Sequence, residues 1–320
     1  MNHQPIITLD LGGTRTKYGV VKNGVVLDSD WCDADSKGSL AEHLEELQPK
    51  LLNILAKLDL KPFDCGGIGI SSTGLVDSEK MRVLSTNGKY VDAIDLDFIA
   101  WGQRAFDLPV RILNDAKAAL LSEYHYGAAK GIENVLFVGF GTGIGTAALV
   151  DGNLLKGHNH CGGNLGGHIV VNPNGRPCTC GGRGCLESEA SGWVIPTLIQ
   201  EHPNHKMSPL NDLEKVGFKE IIETANSGDS CAVDIQEHLF SSWGRGIVSM
   251  IHMLGSELVI IGGGIMNNPE PVLKKLAETI TAHAWADFKN TPLICITHPD
   301  DAALLGVASL FLTENNTINN

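Results

Sequence analysis

Two short stretches of this sequence combine glycine with threonine in a pattern that suits phosphate binding. The first is Asp10–Thr14, which reads Asp-Leu-Gly-Gly-Thr and follows a run of β-forming residues. Its glycines let backbone N–H groups approach an anion without a Cβ in the way, Thr14 adds a hydroxyl group, and Asp10 could hold a metal ion through water. The second is Gly141–Thr146, which reads Gly-Thr-Gly-Ile-Gly-Thr and also follows a β-forming run. Each stretch is therefore a candidate phosphate-binding turn.

The elements around the two turns recur in the same order. In each case a strand leads into the glycine-threonine turn, a second strand follows, and a tight turn at Asn23-Gly24 or Asp151-Gly152 leads to a third strand. This order predicts an internal duplication at the scale of a domain, although two unrelated hairpins would give the same local pattern. Two halves that each carry such a turn could bind a polyphosphate together.

A candidate general base comes directly after a short predicted strand. Asn114 and Asp115 follow the strand and open a predicted helix. Either residue could be the helix N-cap, whose side chain accepts hydrogen bonds from the first backbone N–H groups. Asp115 could instead be a general base presented at a strand end, and both roles could hold for the two neighbouring residues.

Three other loops suit a ligand but also suit ordinary turns. Gly74 ends a strand-to-turn segment, and Asn87 lies in the loop Ser85–Gly88. Small hydroxyl and amide side chains in these loops could bind a polyol. Gly262–Gly264 joins a buried strand to a helix, where it would permit either the close approach of a flat group such as adenine or only tight packing.

Four possible metal ligands lie in one glycine-rich segment. They are His168, Cys178, Cys180 and Cys185. Together they offer the soft ligands of a tetrahedral zinc site, and because four protein ligands leave no open position the zinc would be structural. His160 or Cys161 could compete with His168 as a ligand, and a reduced loop without metal is the other interpretation.

Composition excludes several classes of protein. A chain of 320 residues exceeds what one hydrophobic core usually supports, so two domains are expected. The net charge of −13, without a cluster of Lys and Arg, argues against a nucleic-acid partner. The sequence has no run of about 18 apolar residues and its first strand begins almost at once, so we expect no membrane partner, no signal peptide and a cytoplasmic location. In that compartment the cysteines are not expected to form disulfides.

The motifs together resemble those of a known family. The dinucleotide fingerprint and the mononucleotide P-loop are both missing, since β-forming residues follow Gly141–Gly145 and no Gly-Lys-Ser or Gly-Lys-Thr occurs. The chain resembles the ROK family of sugar kinases and repressors, which belongs to the actin-like ATPase superfamily. The likeness spans nearly the whole chain in order: Asp10–Lys17, Gly74–Asp77, Asn114–Ala116, Gly141–Gly145, His168, the loop from Cys178 to Glu187, and Gly262–Gly264.

The resemblance implies a fold and a division of the chain. The fold would be α/β, a duplicated actin-like (ribonuclease H-like) ATPase fold with two lobes around a cleft that binds sugar and ATP. The N-terminal lobe would be residues 1–115, with the C-terminal helix of residues 302–320 packing back on it. The C-terminal lobe would be residues 116–301 and would carry the zinc-binding loop.

The resemblance also implies residue roles. Asp115 would be the base that accepts the proton of a sugar hydroxyl, conventionally the 6-hydroxyl, as it attacks the γ-phosphate of ATP. ATP, with Mg²⁺ nearby, would be bound by Asp10, Gly12, Gly13, Thr14, Lys17, Gly141, Thr142, Gly143, Gly263 and Gly264. The sugar would be bound by Gly74, Asn87, Asn114, Asp115, Asn164, His168 and Glu187. A structural Zn²⁺ would be held by His168, Cys178, Cys180 and Cys185, and a homodimer is the expected assembly.

One departure from the family pattern concerns the substrate. The family commonly has Glu-x-Gly-His before the zinc loop, whereas this chain has Asn164-Leu165-Gly166-Gly167-His168. Asn164 replaces the glutamate if Gly167 is an insertion, and Leu165 does so if there is no gap. An amide donates as well as accepts hydrogen bonds, which would suit an altered 2-substituent such as an acetamido group, or a different epimer.

Three functions are compatible with these residues. The leading hypothesis is an ATP-dependent hexose kinase acting on glucose or a related hexose, and an alternative is an N-acetylmannosamine or N-acetylglucosamine kinase. From another class, the chain could be a sugar-responsive ROK transcriptional regulator that lacks catalysis. Such repressors carry an added N-terminal helix-turn-helix, for which Asp10 comes too early. We therefore expect a kinase.

Overall fold

The structure of this protein is a computed structural model that describes residues 4–86, 88–267 and 269–312. The described chain forms two compact units. The first comprises the residues up to Gly131, the segment Lys156–Gly162 and the residues from Thr297 on, and the second comprises Ile132–Leu155 and Gly163–Ile296. None of the helices in the described ranges has the length and apolar character needed to cross a lipid bilayer.

The first unit is built on a five-stranded sheet. Its elements are β1 (Ile6–Leu11), β2 (Arg15–Lys22), β3 (Val25–Asp33), α1 (Leu40–Lys57), β4 (Gly67–Ser72), β5 (Leu75–Asp77), β6 (Arg82–Ser85), α2 (Phe98–Phe106), β7 (Val110–Asn114) and α3 (Asp115–Tyr126). The strand order is β3-β2-β1-β4-β7. Strands β1 to β3 are antiparallel neighbours, whereas β4 and β7 run parallel to β1. Strands β5 and β6 form a separate hairpin.

The second unit repeats this plan. Its elements are β8 (Val135–Phe140), β9 (Ile144–Val150), β10 (Asn153–Leu154), α4 (Leu186–Ala190), α5 (Ile195–Glu201), α6 (Phe218–Asn226), α7 (Ser230–Leu254), β11 (Leu258–Gly262), α8 (Pro269–His283) and β12 (Leu293–Cys295). The strand order is β10-β9-β8-β11-β12, with the same directions as in the first sheet. The two sheets therefore carry the duplication that the glycine-threonine turns predicted.

Alternation along β1 explains why both faces of the first sheet are covered. Ile7, Leu9 and Leu11 are almost fully buried in a core shared with α1 and α2. Ile6 points to the opposite face, where it packs with Leu304 and other residues of the final helix, α9 (Ala302–Ser309). Successive side chains of a strand point to opposite faces, so this pattern places one layer of helices on each side of the sheet.

Helix α9 brings the end of the described chain back to the first unit. It packs against α3 and against β1 and β4. A Cβ on Gly306 would collide with the carbonyl oxygen of Ala118, so the glycine lets α9 and α3 approach closely. Helix α3 therefore belongs to the first unit, and the chain passes to the second unit only after Gly131.

Candidate active site

Asp10 is a carboxylate on β1 that faces other polar groups of the first unit. It lies opposite Ser71 of β4, whose Oγ donates a hydrogen bond to its Oδ1 over 2.7 Å. Burial raises the pKa of Asp10 to about 6; the Ser71 hydrogen bond opposes this rise, the charge of Asp115 adds to it, and the charge of Lys17 lowers the pKa again. Two carboxylates that repel each other in a partly buried site fit a divalent cation bound beside Asp10.

Asn114 and Asp115 divide the two roles that their sequence position left open. Asn114 is the N-cap of α3, and its Oδ1 accepts hydrogen bonds from the N–H groups of Ala116 (3.0 Å) and Lys117 (3.2 Å). Its Nδ2 donates to Oδ1 of Asp115 over 2.8 Å, and the Ala116 N–H donates to the same oxygen over 2.8 Å. Asn114 is therefore the N-cap, and these two hydrogen bonds fix one carboxylate oxygen of Asp115 in place.

Burial raises the pKa of Asp115, which strengthens it as a proton acceptor. The Ala116 N–H, the charge of Lys89 and the Asn114 amide all favour the ionised form and limit this rise. A carboxylate whose pKa is raised is a stronger base when ionised, which suits general-base catalysis.

The first glycine turn connects β1 and β2 and is braced by the segment after β3. The N–H of Ala34 donates to the carbonyl of Thr14 over 3.0 Å, and Ser36 Oγ donates to the carbonyl of Gly13 over 2.8 Å. A Cβ on Gly12 would lie 2.5 Å from the carbonyl oxygen of Arg15. Within the described chain, the N–H groups of Gly13 and Thr14 donate to no protein acceptor, so they can bind an anion.

Two lysines of the first unit have different surroundings. Lys17, a predicted ATP ligand, donates from Nζ to Asp301 Oδ1 over 2.7 Å and to the carbonyl of Asp300 over 2.8 Å. Lys89 lies over the glycine turn, since a Cβ on Gly13 would be 2.7 Å from its Cε and closer still to its Nζ. Sequence reasoning missed Lys89, although it directly follows the loop Ser85–Gly88 that was singled out.

The loop at Gly74 lies beside Asn114. Gly74 has a φ of +86°, and a Cβ there would collide with the carbonyl oxygen of Ser85. Its own carbonyl accepts a hydrogen bond from Asn114 Nδ2 over 2.9 Å. Two predicted sugar-binding residues are thus neighbours, whereas Asn87, which was predicted with them, lies outside the described residues.

The second glycine turn, Gly141–Gly143, is braced in a similar way in the second unit. The carbonyl of Gly141 accepts the N–H of Gly192 over 2.9 Å, and that of Thr142 accepts the N–H of Trp193 over 3.0 Å. Glu187 Oε2 accepts the N–H of Ile144 over 2.9 Å, and a Cβ on Gly143 would lie 2.6 Å from the same oxygen. Glu187, predicted only as a sugar ligand, therefore also supports this turn.

The glycines after β11 differ in what surrounds them. Gly263 has a φ of +93°, and a Cβ there would collide with the carbonyl oxygen of Phe140 at the end of β8. Among the residues that the structure describes, none has a heavy atom within 4 Å of a Cβ on Gly264. Gly263 is therefore required by the backbone, and Gly264 borders open space that a ligand could occupy.

The four predicted zinc ligands of the second unit converge on one point. One ligand atom of each of His168, Cys178, Cys180 and Cys185 lies within 4.8 Å of all the others. His168 Nδ1 is 3.5 Å from Cys178 Sγ, and Cys180 Sγ is 3.7 Å from Cys185 Sγ. Two sulfurs that each lie about 2.3 Å from a tetrahedral zinc ion are about 3.8 Å apart, so the cluster fits zinc.

The two residues that could have competed with His168 have other partners. The ring of His160 lies in the first unit, where Nδ1 is 3.0 Å from Ser78 Oγ and Nε2 is 3.0 Å from Glu79 Oε2. Cys161 belongs to the same segment, and its Sγ lies 3.2 Å from the carbonyl oxygen of Asn159. The convergent histidine is therefore His168.

Asn164, one of the two residues that could take the place of the family glutamate, is buried and bonded to the sheet. Its Nδ2 donates to the carbonyl of Thr146 on β9 over 3.1 Å. The Thr146 hydroxyl donates to the carbonyl of Gly163 and accepts the N–H of Gly166, over 2.5 and 2.9 Å. These bonds fix the segment that leads to His168.

Comparison with known proteins places the chain in a family. The model of the ROK family matches residues 6–314. The chain belongs to the ROK family. It is similar to the glucokinase of Thermotoga maritima, with 29% identity over 312 residues that cover 95% of this chain and 96% of the relative. It is also 25% identical over 305 residues to the N-acetylmannosamine kinase of Haemophilus influenzae, covering 94% of this chain and 93% of that one.

A solved structure gives the same result at the level of the fold. This ROK-family chain superposes on the glucokinase of Streptomyces griseus, which was crystallised with glucose and AMPPNP, with a TM-score of 0.78 and 25% identity. The alignment covers 96% of this chain and 98% of that one. The fold is thus the duplicated actin-like ATPase fold that the resemblance implied.

Proposed function

We propose that this ROK-family chain is a sugar kinase that transfers the γ-phosphoryl group of ATP to a hydroxyl group of a hexose, with Asp115 as general base. The observation that carries the assignment of Asp115 is its setting within the first unit. Its carboxylate is oriented by Asn114 and by the Ala116 N–H, and it lies near enough to Asp10 for the two charges to interact.

The reaction requires little covalent chemistry of the protein itself. The sugar hydroxyl oxygen forms a bond to the γ-phosphorus, the bond from that phosphorus to the β,γ-bridging oxygen breaks, ADP leaves, and the hydroxyl proton passes to Asp115. Such transfers depend mainly on alignment and charge stabilisation, and a base contributes about 10²–10⁴-fold. The raised pKa of Asp115 serves this last step.

We assign nucleotide binding to the glycine turns. The free N–H groups of Gly13 and Thr14 would bind phosphate oxygens. In Gly141–Gly143 of the second unit, the N–H groups of Thr142 and Gly143 would do so, whereas the Gly141 N–H donates to the carbonyl of Gly143. Gly264, with open space beside it, would contact the adenosine. Asp10 would hold Mg²⁺, whose charge would offset the negative charge on the phosphates.

We assign zinc to His168, Cys178, Cys180 and Cys185 as a structural ion. The zinc would fix the ring of His168, and Glu187, two residues after Cys185, would be positioned with it. His168 Nδ1 is the nitrogen that faces the sulfurs, so Nε2 would remain for a sugar hydroxyl. The metal would thereby act on sugar binding through the residues that it orders.

For the substrate, we propose glucose or a related hexose, with N-acetylhexosamines as the second candidate class. The second class would be favoured by Asn164 if Gly167 is an insertion, since an amide would then replace a carboxylate at this point of the segment. Relatives named for both activities, a glucokinase and an N-acetylmannosamine kinase, align over almost the whole chain.

The decisive test measures sugar-dependent ADP release with MgATP over a panel of hexoses and N-acetylhexosamines. Asp115→Asn should lower kcat by about 10²–10⁴-fold, because the amide cannot accept the proton. Asp95→Asn, the same change at an exposed aspartate of the same unit, should leave kcat unchanged. Full turnover by Asp115→Asn would remove the assigned base. Sugar binding without turnover by the unaltered protein would instead identify a non-catalytic regulator.

A further inference from the structure

Lys89 lies on the turn to which phosphate binding is assigned. A Cβ on Gly13 would be 2.7 Å from Lys89 Cε and 3.0 Å from its Cδ, and it would be closest to Nζ. The end of the lysine side chain therefore crosses the turn at Gly13, one residue before the hydroxyl of Thr14. Its charge also acts on Asp115, where it favours the ionised carboxylate. One ammonium group thus lies at the phosphate turn and its charge acts on the proposed base.

The backbone around Lys89 is tied to the same turn. The N–H of Lys89 donates to the carbonyl of Thr86 over 3.2 Å, and the N–H of Tyr90 donates to the carbonyl of Ser36 over 2.6 Å. Ser36 in turn donates from Oγ to the carbonyl of Gly13 over 2.8 Å. The ring of Tyr90 is 3% exposed and stacks on His43 with 5.9 Å between centroids. The position of Lys89 is therefore set by its neighbours.

Lys89 is also the lysine whose charge remains available at this turn. Lys17, the lysine of the family motif, is engaged by Asp301 and by the carbonyl of Asp300. Among the described residues, no carboxylate lies within ion-pair distance of Lys89. A compact ammonium without a carboxylate partner is a ready contact for a phosphate oxygen.

We propose that Lys89 is a catalytic residue whose ammonium group contacts the transferred phosphoryl group while Asp115 takes the hydroxyl proton. This inference rests on the proposed kinase function. The negative charge of the phosphoryl group is spread over its three equatorial oxygens in the transition state, and a fixed cation stabilises it without reorganisation. Of the charged groups that face Asp115, Asp10 repels it and Lys89 attracts it, so the same lysine also favours the ionised form of the base.

The test compares Lys89→Met, Lys89→Arg and Lys37→Met. Lys37 is an exposed lysine in the segment that braces the turn, so its substitution removes the same charge without removing a contact to Gly13. Lys89→Met should lower kcat on the order of 10²-fold, with KM for the sugar unchanged, and Lys37→Met should stay within about twofold of the unaltered protein. Lys89→Arg should restore part of kcat, because it restores the charge.

Two further measurements separate a catalytic role from a structural one. The acidic limb of the profile of kcat/KM against pH should move to higher pH in Lys89→Met, because Asp115 loses the cation that favours its ionised form. By calorimetry, the affinity of Lys89→Met for ATP should be about tenfold weaker, whereas its affinity for adenosine should be unchanged. Lys89→Gln provides a second neutral variant if Lys89→Met does not fold.

Unchanged kcat and unchanged ATP affinity in a folded neutral variant would overturn the inference. If the unaltered protein turned over no sugar, the proposed kinase function would fail, and the binding experiment would still decide the role of Lys89. A selective loss of ATP affinity over adenosine affinity would then support the phosphate contact. Equal ATP affinity, or no ATP affinity in the unaltered protein, would refute it.

Discussion

Asp10 and Asp115 place two negative charges close together in the first unit. This arrangement lowers the stability of the folded state. Burial raises the pKa of both groups, and the charge of Asp115 adds to the rise at Asp10. A carboxylate whose pKa is raised on folding destabilises the folded state when it ionises. The roles in binding and chemistry that we propose for these residues would explain why the fold retains them at the expense of stability.

Asp10→Asn should accordingly stabilise the protein above neutral pH in buffer without magnesium or nucleotide. The pKa of Asp10 rises from 3.8 to about 6 on folding, so the folded protein binds this proton more tightly than the unfolded chain does. The resulting cost is absent below pH 3.8 and complete above about pH 6, where it reaches at most about 3 kcal/mol. The amide can still accept the Ser71 hydroxyl. Urea unfolding of both proteins from pH 3.5 to pH 8 measures the difference.

Asp92→Asn is the matched control, with the opposite sign. Burial alone would raise the pKa of Asp92. Hydrogen bonds from the N–H groups of Leu40 and Ala41 and from the Ser39 hydroxyl lower this pKa below its ordinary value. Ionisation of Asp92 stabilises the fold at neutral pH, so Asp92→Asn should destabilise the protein at that pH. In acid this destabilisation should disappear, because Asp92 itself is then protonated. A difference for Asp10→Asn that did not change with pH would contradict the assigned cause.

For single residues, the sequence reveals those whose contacts are local in the chain. Asn114 and Asp115 are adjacent in the chain, and an amide before a helix is already a recognisable N-cap. Lys89 and Ser71 could not be found in this way, because each meets its partner across a large separation in sequence. The contact of Glu187 with Ile144 was missed for the same reason. Only the fold brings such pairs together.

The zinc loop is an element that depends on polar contacts more than on apolar packing. The side chain of Cys180 is exposed, and backbone bonds such as Cys178 N–H to the carbonyl of Gly182 (2.9 Å) give the loop its shape. Buried Glu189 accepts the N–H of Arg176 over 2.6 Å. The sequence showed the three cysteines as candidate ligands, but this carboxylate comes from the helix that follows the loop.

Cys178→Ser should remove the zinc and weaken sugar binding. The thiolate is one of four ligands, and a hydroxyl is a poor replacement, so bound zinc should fall from about one equivalent per chain to a small fraction of that. His168 would lose its fixed orientation, and sugar affinity should fall about 10- to 100-fold. Elemental analysis and sugar titration measure the two effects. Cys32→Ser, at a cysteine outside the cluster, should change neither, and an unaltered protein that folds without zinc would refute the site.

The whole molecule repeats one sheet plan in two units, and each unit has its own core. The core of the first unit includes Leu9 and Leu47, and that of the second includes Val138 and Trp243. The duplication was predictable because each glycine turn and the hairpin after it are local patterns. The place of α3 was not, since nothing near Asp115 in the sequence shows that Gly306 lets α9 lie against this helix.

A chain that ends at Asp301 should lose the fold of the first unit and keep that of the second. Truncation there removes α9, which contains the buried residues Leu304 and Leu305. Replacing either leucine by alanine would already destabilise the unit by about 2–5 kcal/mol, whereas the total stability of a domain is about 5–15 kcal/mol. Hydrogen exchange followed by mass spectrometry should show β1 and β4 unprotected, while β8 and β11 stay protected. A chain that ends at Leu312 keeps α9 and should retain protection in all four strands. Equal loss of protection in both sheets of the shorter chain would show that the two cores do not fold separately.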